Sequence, residues 1–170
     1  REAFIAAIAR ADAAEASRLL QAHPEFRLDP GPLQVAIRQH RPEIAALALR
    51  LGASPDAESR DGVRALHEAA GADAAAIVTL LIEAGAEIDP VERRYGATPL
   101  GWAHHQGAQA AQALLSAHSR DIGALCRAGE SERLETLLAG DPAIANAPTR
   151  SGEPPLFCLP DDDAGAADLA

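Results

Sequence analysis

The sequence predicts an all-α protein, a solenoid of helix-turn-helix repeats with short hairpin turns, about six units long and with the last one incomplete. Three observations predict it. Residues are 48% hydrophobic but only 3% aromatic, and alanine recurs throughout, which suits thin helices packed closely through Ala and Leu rather than sheets rich in Tyr, Phe and β-branched residues. A leucine-led motif returns at residues 33, 66 and 100, at spacings of 33 and 34 residues. A second apolar landmark follows each of these leucines by fourteen residues, with turn-forming residues in between.

The elements follow in order. Residues 1–26 read as a helix pair from Phe4 to Gln21 that ends on Leu19-Leu20, with Pro24 beyond. Residues 27–58 carry the first motif copy, Gly31-Pro32-Leu33-Gln34-Val35-Ala36. They continue through Leu47 to the helix stop Gly52-Ala53 and the turn Ser54-Pro55-Asp56. Residues 59–92 open on Arg60-Asp61-Gly62 and carry Arg64-Ala65-Leu66-His67-Glu68-Ala69, then Leu80-Leu81 and the stop Gly85-Ala86. Residues 93–118 carry Thr98-Pro99-Leu100-Gly101-Trp102-Ala103 and Leu114-Leu115. Gly71-Ala72-Asp73 and Gln106-Gly107-Ala108 break the helices within these units, where a glycine in the left-handed conformation is expected to end the first helix.

The next pair, Asp121 to Ala139, arrives early. Its leading position, Gly123, follows Leu100 by only 23 residues, so a hairpin is missing before it. This predicts two arrays in tandem, residues 1–118 and residues 119–170, the second with units at 119–147 and 148–170. The last motif copy is Pro154-Pro155-Leu156-Phe157-Cys158-Leu159, and its second landmark falls on Ala170, the final residue. The chain is therefore expected to be an excerpt that stops within a helix.

The motifs resemble the ankyrin repeat, whose signature Thr-Pro-Leu-His-x-Ala-Ala is met by Leu66-His67-Glu68-Ala69-Ala70 and by Thr98-Pro99-Leu100. The Gly-Ala helix endings and the Asp61-Gly62 turn fit the same family. The resemblance implies recognition of other proteins on a concave surface of hairpin tips and first helices. For His67 it implies a hydrogen bond between repeats.

Net charge is −10, and a surface of that sign repels phosphate backbones and anionic lipid heads over roughly 8–10 Å. Nucleic acid and membrane are therefore excluded as expected partners, and no apolar stretch is long enough to span a bilayer. The cations are all arginine, a composition that points to a GC-rich, bacterial source. The two cysteines, Cys126 and Cys158, read as small buried thiols in a reducing, cytoplasmic setting.

The candidates for partner binding are few. Trp102 occupies the variable first-helix slot that the family turns to its groove, the alternative being a core role beside a neighbouring repeat. Arg27, Arg60, Arg94 and Arg150 each stand six residues before a leading leucine, with Arg93 adjacent. If the hairpins are equivalent, these form an edge able to clamp an acidic or phosphorylated segment of a partner protein, the alternative being ordinary solvation. Glu68, in the first helix of its unit, completes the set.

Nothing in the sequence assembles a catalytic, cofactor or metal site. Adjacent helical residues such as His104 and His105 point about 100° apart, and Asp161-Asp162-Asp163 sit where they would cap a helix. There is no Gly-rich phosphate loop, nucleophile elbow or His-Glu-x-x-His motif. The expected function is a non-enzymatic protein-interaction module. The alternative is a regulatory or targeting portion of a larger enzyme whose catalytic domain lies outside this chain.

Overall fold

Helices pair in sequence order throughout the computed structural model, which describes residues 1–59 and 61–146. The pairs are α1 (Glu2–Ala9) with α2 (Ala13–Ala22), α3 (Gly31–Arg38) with α4 (Pro42–Arg50), α5 (Ala65–Gly71) with α6 (Ala75–Glu83), and α7 (Pro99–Gln106) with α8 (Gln109–His118). A fifth pair is α9 (Ile122–Ala128) with α10 (Ser131–Gly140). Short 3-10 turns at Pro24–Leu28 and Pro142–Asn146 follow α2 and α10. Among the described residues the only extended pairing is a single antiparallel bridge between Glu58 and Arg64. The motif copy at 154–159, Cys158 and Asp161 to Asp163 lie outside the described residues.

The chain divides into two compact units, Arg1–Ser119 and Arg120–Ala170. In the first, helices of seven to ten residues are too short to be stable alone and depend on their neighbours. The first helices α1, α3, α5 and α7 stack in one row, while α4, α6 and α8 stack in a second row behind them. The leading leucines Leu33, Leu66 and Leu100 are fully buried between the rows. In the second row Leu47, Leu81 and Leu115 are buried, whereas Leu80 and Leu114 are partly exposed. The buried landmark therefore stands fourteen residues after Leu33 and fifteen after Leu66 and Leu100, where it is the second leucine of the Leu80-Leu81 and Leu114-Leu115 pairs. The loop sets the rotation of the second helix, and a one-residue shift turns a helix by about 100°.

The loops correct a second expectation. Gly107 ends α7 with φ +68, as expected, but Gly71 is the last residue of α5 and the left-handed position falls on Asp73, φ +49. Asp tolerates this conformation through its short polar side chain. Asp73 also uses that side chain: its Oδ1 accepts the Ala111 N–H at 2.8 Å. The start of α8, whose own N-cap is Ala108, thus receives its cap from the preceding unit.

Successive hairpins are stitched together. The Ser54 N–H donates to the Arg27 carbonyl at 2.7 Å, and the Arg93 N–H donates to the Asp61 carbonyl at 2.8 Å. The Arg64 guanidinium, only 17% exposed, meets Asp56 and Glu58 of its own hairpin and Glu87 of the next. Burial opposes its charge, but the bonds to Glu58 and Glu87 outweigh that and raise its pKa further.

Candidate functional site

The row of first helices brings Glu68 and Trp102 onto neighbouring elements, α5 and α7. His67 is the buried pin beneath them. Its Nδ1 accepts the Arg64 N–H at 3.2 Å and its Nε2 lies 3.2 Å from the Ala97 carbonyl, which selects the tautomer with the proton on Nε2. Burial pushes the imidazole pKa down, against the pull of the Ala97 carbonyl and of Glu92. Neutral His67 therefore ties α5 to the loop that leads into α7, and both ring nitrogens are committed to that bond pair.

Trp102 stands edge-on to the His67 ring, with centroids 5.6 Å apart. It is partly exposed, so it combines the two roles weighed from sequence: one part packs on the preceding repeat and another meets solvent. Gly71 makes that packing feasible. A Cβ at this position would come within 3.3 Å of the indole Cε3, so the absence of a side chain lets the ring lie against α5. Glu68 sits one helical turn before Gly71 on the same helix. Its Oε1 accepts from Gln34 Nε2 on α3 at 2.8 Å. Burial raises the Glu68 pKa, opposed by the Gln34 bond and by the charge of Arg38.

The arginine edge is less uniform than its sequence register. Arg27 is exposed in the 3-10 turn Pro24–Leu28, its side chain running beside Gly52. Arg93 and Arg94 are both exposed in the hairpin before α7, but Arg93 faces Glu58 at 3.4 Å. Arg94 lies over the Tyr95 ring, 5.1 Å from its centroid. Arg60 and Arg150 lie outside the described residues.

Two further surface residues were not singled out from sequence. Leu28 and Tyr95 are 70% and 69% exposed, and both stand five residues before a leading leucine, next to Arg27 and Arg94. The signal was available in the register but carried no physical meaning before exposure was known. Glu92 is the residue that shapes the Tyr95 turn. Only 1% exposed, it accepts the N–H groups of Arg94 at 2.6 Å, Tyr95 at 2.9 Å and Ala97 at 3.1 Å. Burial works against its charge, yet these donors outweigh it and hold the carboxyl below the usual carboxylate range.

His104 and His105 are exposed. Among the described residues no three His, Cys, Asp or Glu side chains are grouped to hold a metal ion, and no helix is long and apolar enough to cross a membrane. Cys126 is a buried thiol on α9.

A family model described as ankyrin repeats, in three copies, matches residues 33–126. Among solved structures the chain is similar to the crystal structure of the human ASB11 ankyrin repeat domain, at 26% identity and a TM-score of 0.50, over 75% of this chain. The match spans 61% of that domain's length. No curated protein matches the chain.

Proposed function

Because the chain belongs to the ankyrin repeat family, whose members are generally protein-interaction modules, we propose that it binds a partner protein on the concave face of its first-helix row. The observation that carries this reading is Trp102. A partly exposed tryptophan, fixed in position by His67 and Gly71, is a rigid aromatic anchor of the type that dominates binding energy at protein interfaces. Glu68 and Gln34 extend the same row.

The hairpin edge is a second contact strip for the same partner. Arg27 with Leu28, and Arg94 with Tyr95, offer guanidinium and apolar groups at equivalent places in the repeat, suited to a segment that carries acidic residues. Arg93 is partly neutralised by Glu58, so Arg27 and Arg94 carry this reading. Whether the chain acts alone or as the regulatory portion of a larger enzyme, the same face is used. A buried Cys126 thiol suits a reducing cytoplasm.

The test is capture from a host lysate by the parent chain beside Trp102→Ala and an Arg27→Glu, Arg94→Glu double variant, each checked for unchanged helicity. A partner retained by the parent and lost by Trp102→Ala places binding on the first-helix face. An identical set of captured proteins for all three would refute it.

A further inference from the structure

We propose that the first-helix face receives a basic side chain, arginine or lysine, from the partner protein, with the Glu68 carboxylate as its counter-ion and the Trp102 ring beside it. This rests on the reading that the face binds protein and adds the chemistry it selects.

Glu68 has the environment of half an ion pair. It is partly buried on the middle helix of α3, α5 and α7, yet among the described residues its direct hydrogen-bond partner is neutral, the Gln34 amide at 2.8 Å, and it makes no ion pair. A carboxylate in this position sacrifices solvation without gaining a charge partner, so an incoming cation meets an electrostatic gain that an exposed surface acid does not offer. The Gln34 bond holds the carboxylate in place, and less ordering is needed when a ligand arrives. The charged group that reaches it from the adjacent α3 is Arg38, which is exposed and acts at longer range than an ion pair. From α7, Trp102 packs on His67 and against Gly71 of the same helix as Glu68, and His67 is buried and neutral.

Trp102 completes the recognition. Its ring lies against Gly71, one turn beyond Glu68, so the indole and the carboxylate occupy one stretch of the same face. An aromatic quadrupole and a carboxylate both favour a cation, and an arginine can stack on the first while hydrogen bonding the second. The formal charge of −10 adds a long-range field of the right sign for a basic segment.

The experiment is selection of a random displayed-peptide library on the full chain, followed by titration of selected peptides against the parent, Glu68→Gln, Trp102→Phe and Glu83→Gln at near-physiological salt. Trp102 is the sole tryptophan, so its emission reports contact at this site directly in every variant that retains it; binding to Trp102→Phe is read by calorimetry. Glu83 is exposed on α6 and controls for loss of one negative charge. The expected result is peptides that share an Arg or Lys, change Trp102 emission, and bind Glu68→Gln about tenfold more weakly and Glu83→Gln within about twofold of the parent. Peptides that depend on Trp102 but carry no basic residue, or that bind Glu68→Gln like the parent, would overturn the proposal and leave the protein-binding reading standing. Peptides indifferent to Trp102 would overturn both.

Discussion

Replacing Glu92 by Gln tests the hairpin turn that presents Arg94 and Tyr95. The carboxylate accepts three backbone N–H groups through two oxygens: Oε1 takes Tyr95 and Ala97, and Oε2 takes Arg94, with Tyr95 shared. Glutamine keeps the shape but turns one oxygen into a donor, so at least one N–H loses its acceptor and the rest lose charge assistance. Hydrogen bonds to charged groups contribute about 1.5–3 kcal/mol each, and relief from burying a charge offsets part of that loss, leaving a net destabilisation of about 2 kcal/mol. For a chain of this size that corresponds to a fall of about 4–8 °C in Tm. The pH dependence identifies the cause. An unfolded Glu takes up a proton near about pH 4.3, whereas folded Glu92 does so lower, so its contribution is fully present above that value and disappears as pH falls through the folded-state pKa. Thermal melts followed by circular dichroism should show a gap between parent and variant at neutral pH that closes on acidification. Equal Tm values at neutral pH, or a gap that persists unchanged in acid, would refute the reasoning.

Three other perturbations probe the contacts between repeats. His67→Ala strips partners from the Arg64 N–H and the Ala97 carbonyl and leaves a cavity, and denaturant melts should show a loss of about 3–4 kcal/mol; less than about 1 would contradict the pin. Since folded His67 resists protonation, parent stability should decline as pH drops below about 6.5, where the unfolded imidazole charges first, and His67→Ala should lose that slope. Gly71→Ala gains about 1 kcal/mol in helix propensity but pushes on the indole at 3.3 Å, so Trp102 emission should shift with stability nearly unchanged; an unmoved spectrum would mean the ring does not rest there. Asp73→Ala removes the cap of α8 and places an unsuited residue at φ +49, for an expected cost of about 2 kcal/mol by urea titration, which Asp73→Gly should partly recover.

What was legible in the sequence depended on residues within one helix. Leu33, Leu66 and Leu100 are buried because their place on an apolar stripe is set by local periodicity, and the stacking of units follows from the recurrence of that stripe. Trp102 and Glu68 could be named as first-helix candidates for the same reason. The arginine register was readable too, but its uneven charge was not, because Arg93 meets Glu58 across 35 residues of chain. The same limit applies to Asp73 capping α8 and to Gly71 making room for Trp102. Those contacts join residues of different units, so they depend on how far each loop rotates one helix against the next. Periodicity by itself determined which residues face inward along a helix; only the tertiary structure decided which side chains from successive repeats meet, because that depends on the distance and rotation between helices that local sequence does not specify.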